Sequence, residues 1–456
     1  MRSIRQTVQN LGISVPETLS AKVSGNFSKV GVDSRLVVEN ELFFALKGER
    51  SDGHQHLEEV QKRGALAAVV RKGWKGEHFG LPLLYVEDPL ASLQEWAKKE
   101  LEVSKTRIVA VTGSVGKTTS KEFIKTLLES TFRVAASPGN QNSQIGLPLA
   151  VLNCSLDAHE ILVLEMGMTH QGQLRQLLHI APPEVALLTE VALVHACNFD
   201  SIKDIAREKG TIFSHPFTQL GLVNREIPLL QEISAIGKCP KTTFSILSEE
   251  ADLFLSLDSQ KEVLVQCDGK KLRLGPFPFP GKHNLHNLLA AIGVARYFGV
   301  DWNVIREGIS RLKLPEKRLE WIFHRGVHFL NDSYNACAPS MKAALEVLSQ
   351  TCLEKHEKGR KIAVLGAMQE LGHFSAACHQ DVGAYALDHV EFLYCLGKEW
   401  EEVSRMWQDD GKKAHLYTDY GMLLAALQNF LRPGDVVLLK GAHSKGLWKI
   451  LEDFVD

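Results

Sequence analysis

Two hydrophobic rhythms alternate along this chain. Short continuous apolar runs, closed by glycine or a polar turn, read as strands buried on both faces. Apolar positions three and four apart over longer stretches read as helices. Residues 30–35 read as a short strand entering a polar turn, and residues 41–48 as a strand ending at Gly48. Residues 53–63 read as a helix stopped by Gly64, followed by strands at 65–70 and 83–86. Asp88 and Pro89 have the chemistry of a helix cap and first turn, so a helix is expected to residue 101, with residues 104–107 as a linker. Strands follow at 108–111, 161–167, 185–189, 221–224 and 262–266. Helices are expected at 120–128, 201–213 (with Gly210 inside its pattern), 281–296 and 303–312. Beyond residue 314, strands at 328–332, 361–366, 391–396 and 435–440 alternate with helices at 340–348, 379–387 and 421–430. That βαβ repetition predicts a parallel sheet in a Rossmann-like layer fold. The chain is therefore α/β, and its 456 residues suggest two to four domains at ~150 residues each. The expected divisions are 1–104, 105–313 and 314–456.

Composition narrows the class. Apolar residues are 45% and charged residues 23% of the chain, enough to bury a core in each domain. A net charge of −2 gives no attraction for nucleic acid or a membrane surface. Cysteines at 154, 197, 239, 267, 337, 352, 378 and 395 include no Cys-x-x-Cys pair, the pattern of a reduced, cytoplasmic protein. The first ten residues lack the apolar core of a signal peptide, and no run of ~20 apolar residues occurs. A soluble, monomeric chain without membrane insertion is expected.

The chemistry centres on Val111-Thr-Gly-Ser-Val-Gly-Lys-Thr-Thr119. A strand, a Gly-rich loop ending in Lys-Thr and then a helix is the context of a phosphate-binding loop. Gly113 and Gly116 let backbone N–H groups turn toward phosphate oxygens, and the positive helix end faces the same way. Lys117 can reach the β- and γ-phosphates of ATP, and the Thr118 hydroxyl can sit on Mg²⁺. The loop is one residue shorter between its glycines than the Gly-x-x-x-x-Gly-Lys form. Residues 137–148, rich in amides including Asn140 and Asn142, are either a plain surface loop or a substrate-binding one. Glu165 closes a buried strand at its carboxyl end, where open α/β sheets bind ligands, and suits a metal-binding carboxylate. His54 and His56 read as surface-loop histidines, and Lys209 alone reads as a solvated helix lysine.

Several motifs occur together and in order: Asp33-Ser-Arg35, the runs 43–50 and 52–54, the phosphate loop, the run 139–148, Glu165-Met-Gly167, Glu208-Lys-Gly210, the run 283–287, Arg318-Leu-Glu320, the run 331–336 and Lys440-Gly441. In this set the chain resembles the Mur ligases, ATP-dependent amide-forming enzymes of peptidoglycan synthesis. The resemblance covers nearly the whole chain and is weakest at about 225–275. It implies a three-domain architecture: an N-terminal domain for a UDP-linked precursor, a central P-loop ATPase and a C-terminal Rossmann-like domain for the incoming dipeptide. Asn331-Asp-Ser-Tyr-Asn-Ala336, followed by Pro339-Ser-Met341, points to the branch that adds D-alanyl-D-alanine to UDP-N-acetylmuramoyl-tripeptide through an acyl phosphate. The Asp-Tyr-Ala-His and Asp-Asn-Pro-Arg segments of relatives that add the third residue are absent.

The resemblance also implies roles. Lys209 becomes a carbamylated lysine, overturning its reading from chemistry alone, and with Lys117 and His195 it is catalytic. Thr118, Glu165, His195 and Lys209 surround two Mg²⁺ ions. ATP is held by Gly113, Ser114, Val115, Gly116, Lys117, Thr118 and Thr119, with Asn287 at adenine and Arg318 and Asp332 as further nucleotide contacts. Ser34 and Lys47, in the loop 46–50, lie toward the uridine nucleotide. Asn140, Asn142, Asn331, Tyr334 and Asn335 face substrate. Three positions depart from the family: His195-Ala-Cys197 replaces His-Leu-Glu, Ala367 replaces Asp, and Lys440-Gly-Ala-His-Ser-Lys445 replaces a Lys-Gly-Ser segment. These bear on substrate-side detail. Other readings are a different Mur-type amino acid ligase, a folylpolyglutamate synthetase, or a non-catalytic nucleotide-binding sensor of a cell-wall precursor. Residues 30–54 speak against the synthetase, and intact Lys117, Glu165, His195 and Lys209 against the sensor.

Overall fold

The computed structural model describes residues 2–3, 26–49, 51–267, 269–351 and 359–454. The N-terminal stretch 4–10, Arg50 and Cys352 lie outside the described residues. The chain forms two compact units. One comprises residues 1–110, 131–168 and 172–185, and the other 111–130, 169–171 and 186–456.

In the first unit, strands Lys29–Gly31, Glu41–Phe44, Ala67–Arg71 and Leu83–Val86 form a four-stranded sheet in that order, all parallel. Every residue of Glu41–Phe44 is buried, as expected for a strand covered on both faces. Phe43 packs with Val37, Leu57, Val60, Val70 and Leu83. On the helix Pro89–Val103, Trp96 lies 5.8 Å from the Phe27 ring and 6.2 Å from that of Phe44. Asp88 caps this helix as expected, accepting from the N–H groups of Leu90 (2.8 Å) and Ala91 (3.1 Å).

The helix expected at 53–63 is divided into a 3₁₀ turn, Gly53–His56, and the α-helix Leu57–Lys62. His54 is the reason. It is buried rather than a surface-loop residue, with Nδ1 2.6 Å from Asp52 Oδ1 and Nε2 accepting the Arg71 N–H at 3.0 Å. The turn is thereby fixed to the adjacent strand.

A nine-stranded sheet runs in the order Lys270–Pro276, Glu262–Cys267, Leu253–Leu257, Lys241–Ser245, Leu220–Asn224, Val185–Leu188, Arg107–Thr112, Ile161–Glu165 and Val134–Ala136. The three strands from Leu253 to Pro276 pair antiparallel. The amide-rich loop ends earlier than its composition suggests, because Gly146 opens the helix Gly146–Leu152. Pro148 sits in its first turn, where no N–H is required. The helix expected at 201–213 is α from Ile202 to Gly210 and 3₁₀ from Thr211 to Phe213. Ser201 caps it, accepting from the Asp204 N–H.

The C-terminal sheet has the order Glu320–His324, Val327–Asn331, Val436–Lys440, Lys361–Gly366, Phe392–Leu396 and Lys413–Tyr417. It is parallel as expected, except that Glu320–His324 pairs antiparallel with Val327–Asn331. The tight hairpin between them carries φ of +48° at Arg325 and +80° at Gly326, the handedness that two-residue hairpins require.

Candidate functional site

The strand Arg107–Thr112 delivers the chain into the loop 113–116, and the helix Lys117–Leu128 leaves it. Two positions there require glycine. A Cβ on Gly113, at φ +151°, would fall 1.9 Å from Thr189 Oγ1; one on Gly116, at φ +86°, would fall 2.4 Å from Asn287 Oδ1. Neighbouring segments hold the loop open. Thr189 Oγ1 reaches Val115 O (2.6 Å) and Thr112 O (3.2 Å). The Ser114 N–H donates to Glu190 O at 2.6 Å, and Ser114 Oγ donates to Ala192 O at 2.9 Å. With its backbone carbonyls tied from behind, the loop keeps its shape without a ligand, which is the preorganisation an anion site needs.

Positive charge gathers on the same loop. Lys117 Nζ donates to Gly113 O at 2.9 Å, and Lys209 Nζ donates to the same oxygen at 3.1 Å. Arg318 Nη2 donates to Thr118 Oγ1 at 3.3 Å, with its guanidinium 4.6 Å above the Tyr334 ring. Lys117 and Arg318 at a helix N-terminus, with the Lys209 amine on the same loop, make a receptor for polyphosphate. Lys209 is 3% exposed, so it is not the solvated lysine its chemistry alone suggests. Asn287 is buried and accepts from Ser120 Oγ at 3.1 Å, and Thr119 is buried one residue before Ser120.

His195 stands at φ +55° on the loop after the strand Val185–Leu188, and its Nδ1 is hydrogen-bonded to Glu370. Burial holds its pKa below the ordinary histidine value. The charges of Lys117 and Lys209 push the same way, and Glu370 opposes them. A neutral imidazole is the form that ligates metal. Buried Lys440 pairs with the half-buried Asp332 at 2.5 Å, and Asp332 Oδ1 accepts the Leu319 N–H at 3.2 Å, fixing the backbone next to Arg318. Asn331 is 2% exposed and engaged inside the fold, donating to Glu320 at 3.1 Å and accepting from Ser333 Oγ at 2.6 Å. The backbone oxygen of Asn335 accepts from Lys440 Nζ at 3.1 Å, while its side chain accepts the Ala336 N–H at 2.8 Å.

The first unit holds the remaining expected residues. Glu165 is 2% exposed; its carboxylate accepts from Asn142 Nδ2 at 2.7 Å and its N–H donates to Ser137 Oγ at 3.2 Å. The amide-rich loop is thus bound to the strand-end carboxylate. Asn140 is exposed, and its backbone oxygen accepts the Asn142 N–H at 2.8 Å. Ser34 is buried and donates to Glu59 at 3.0 Å, whereas Lys47 is exposed on a bridge to Asp52.

Among the described residues, no three His, Cys, Asp or Glu side chains gather to hold a metal by themselves. Mg²⁺ does not need such a cage, since it keeps several waters and takes one or two protein ligands with substrate phosphates. Within the second unit, the Thr118 hydroxyl and the His195 imidazole are donor types that fit it.

Sequence reasoning missed Glu370, and also Glu190 and His286. These last two line a small cavity beside Val115, Gly116 and Asn287. Burial raises the Glu190 pKa. The 283–287 motif carried a signal for His286, while nothing local marked Glu370 or Glu190.

Residues 111–295 match the Mur ligase middle domain, and residues 317–443 match the Mur ligase glutamate ligase domain. The chain is 33% identical over 94% of its length to the UDP-N-acetylmuramoyl-tripeptide–D-alanyl-D-alanine ligase of Synechocystis sp., 92% of which is covered. It is 32% identical to the Bacillus subtilis ligase of the same name, over 99% of both chains. The crystal structure of MurF ligase from Thermotoga maritima in complex with ADP superimposes with a TM-score of 0.75, at 28% identity, over 94% of this chain and 97% of that one. With near full-length identity above 30% and both domain models matched in order, the chain belongs to the Mur ligase family.

Proposed function

We propose that this chain is an ATP-dependent ligase that joins D-alanyl-D-alanine to UDP-N-acetylmuramoyl-tripeptide in the cytoplasmic stage of peptidoglycan synthesis, acting as a monomer. The observation that carries the reading is the braced phosphate loop with Lys117, Lys209 and Arg318 converging on it. Names of the near full-length relatives supply the substrates. Residues 1–104 bind the uridine precursor, with Ser34 and Lys47 toward the nucleotide. Residues 105–313 bind ATP, and residues 314–456 receive the dipeptide, with Tyr334 and Asn335 facing substrate.

The tripeptide carboxylate attacks the γ-phosphorus of ATP, forming an acyl phosphate and releasing ADP. The dipeptide amine then attacks the acyl carbon. The tetrahedral intermediate expels phosphate, and the amine proton passes to a base. Two anions meet in the first step, so Lys117 and the helix N-terminus offset their repulsion. Asn287 orients the base of the nucleotide, and Arg318 and Asp332 order the segment that covers it. Asn142 holds the Glu165 carboxylate in one orientation. Thr118, Glu165, His195 and a carbamylated Lys209 would hold two Mg²⁺ ions, which neutralise phosphate charge. Carbamylation adds CO₂ to a neutral lysine amine and turns Lys209, 3% exposed, into an anion.

Mass spectrometry of reactions with ATP, UDP-N-acetylmuramoyl-tripeptide and D-alanyl-D-alanine tests the proposal. A pentapeptide product is expected only when all three are present. Its absence, with either lysine or meso-diaminopimelate in the tripeptide, overturns the assignment.

A further inference from the structure

The loop at residues 367–372 leaves the C-terminal sheet and reaches His195. It is anchored from behind. The Ala367 N–H donates to Leu396 O at 2.9 Å, and the Met368 N–H donates to His379 Nε2 at 3.0 Å. Gln369 accepts from Ser444 Oγ at 2.8 Å. At its tip, Glu370 has φ +58° and Gly372 φ +56°. A left-handed conformation at a non-glycine residue persists only where the surroundings impose it. Here the Cys197 N–H donates to Glu370 O at 2.9 Å, and a Cβ on Gly372 would fall 2.9 Å from Cys197 Cα. Two main chains therefore lock together, and the lock brings the Glu370 carboxylate onto His195 Nδ1.

A carboxylate on Nδ1 takes the proton of that nitrogen as a hydrogen bond. It selects the tautomer whose Nε2 lone pair is free and fixes the ring plane. Three residues before His195, Ala192 exchanges hydrogen bonds with Ser114 Oγ, donating its N–H and accepting at its carbonyl, both at 2.9 Å, which ties this segment to the phosphate loop.

We propose that Glu370 is a positioning residue: held by the 367–372 loop, it orients His195 so that Nε2 is presented as a metal ligand. The proposal rests on the reading of His195 as a Mg²⁺ ligand, and its test separates the two. Mn²⁺ binding to the full chain with ADP is followed by electron paramagnetic resonance for wild type, H195A, E370A and E370Q. ADP affinity in EDTA and thermal melting serve as controls for loop collapse.

H195A is expected to weaken one Mn²⁺ site. E370A is expected to weaken the same site by roughly 10–100-fold, the usual effect of losing an outer-shell partner. E370Q keeps an acceptor for Nδ1–H and should recover most of that loss, with metal-free ADP affinity unchanged throughout. Wild-type Mn²⁺ affinity in E370A beside a weakened H195A overturns the role of Glu370 and leaves His195 a ligand. Equal losses in E370A and E370Q also overturn it. Wild-type affinity in H195A overturns both readings.

Discussion

Replacing Gly113 by alanine tests whether the phosphate loop is shaped by the chain behind it. The new Cβ would meet Thr189 Oγ1 at 1.9 Å and the Glu190 N and O atoms at 3.0 and 3.1 Å. Backbone on the far side cannot yield, so Thr189 must rotate away. Rotation breaks its contacts with Val115 O and Thr112 O, at about 1 kcal/mol each. Holding a non-glycine residue at φ +151° adds about 1 kcal/mol. The sum, about 3 kcal/mol, corresponds to roughly 100-fold weaker nucleotide binding if the loop must recover its shape to bind. Titration calorimetry with ATP on G113A, T189A and the double variant measures this. T189A alone should cost about 2 kcal/mol, and the double variant less than the sum of the two, because the clash is removed with the hydroxyl. Strict additivity, or wild-type affinity in G113A, would refute the reasoning.

Other outcomes follow from the same geometry. K117A should lower phosphate release at least ~100-fold, as loss of a preorganised charge does, while thermal melting stays near wild type; retention of release would deny Lys117 its role. Arg360 makes a two-point pair with Asp435, which is 2% exposed in its side chain. R360A should therefore cost about 3–5 kcal/mol in urea unfolding followed by tryptophan fluorescence. Burial lowers the His283 pKa to about 4, below the unfolded value. The unfolded chain thus binds more protons, and stability should fall as pH drops from 6.5 toward 4. The loss at pH 5 is at most about 2 kcal/mol, and H283N should flatten the slope between unfolding curves at pH 7 and pH 5. If Lys209 is carbamylated, ¹³C-bicarbonate should give a carbamate resonance that is missing in K209A; identical spectra would exclude the modification.

What the chain reveals before folding is what local chemistry encodes. The phosphate loop is legible because glycine spacing, a strand and a helix lie within one short segment. The place of Glu165 is legible because a continuous apolar run ends in a carboxylate, and the structure buries it at the end of the strand Ile161–Glu165. Partnerships across the chain are not: Arg318 meets Thr118 across 200 positions, His195 meets Glu370 across 175, and Lys440 meets Asp332 across 108. No periodicity carries such information. Lys209 is an intermediate case. Ile205 and Ala206 are buried on its helix, and positions three and four further on share their face, so helical spacing alone would have turned Glu208 and Lys209 inward. The strand Lys270–Pro276 escaped because it is half exposed and carries charges at its start, leaving no continuous apolar run.

The claim that the loop primes a carboxylate for amide formation is tested most directly with ¹⁸O. The tripeptide is labelled in its terminal carboxylate and incubated with the enzyme, ATP and D-alanyl-D-alanine, and the released phosphate is analysed by mass spectrometry. An acyl phosphate leaves one carboxylate oxygen on phosphorus, so singly labelled phosphate is predicted in step with the amide product. Phosphate without the label, its fourth oxygen taken from solvent water, released equally without the dipeptide, would mean that the loop serves ATP hydrolysis and would contradict the account.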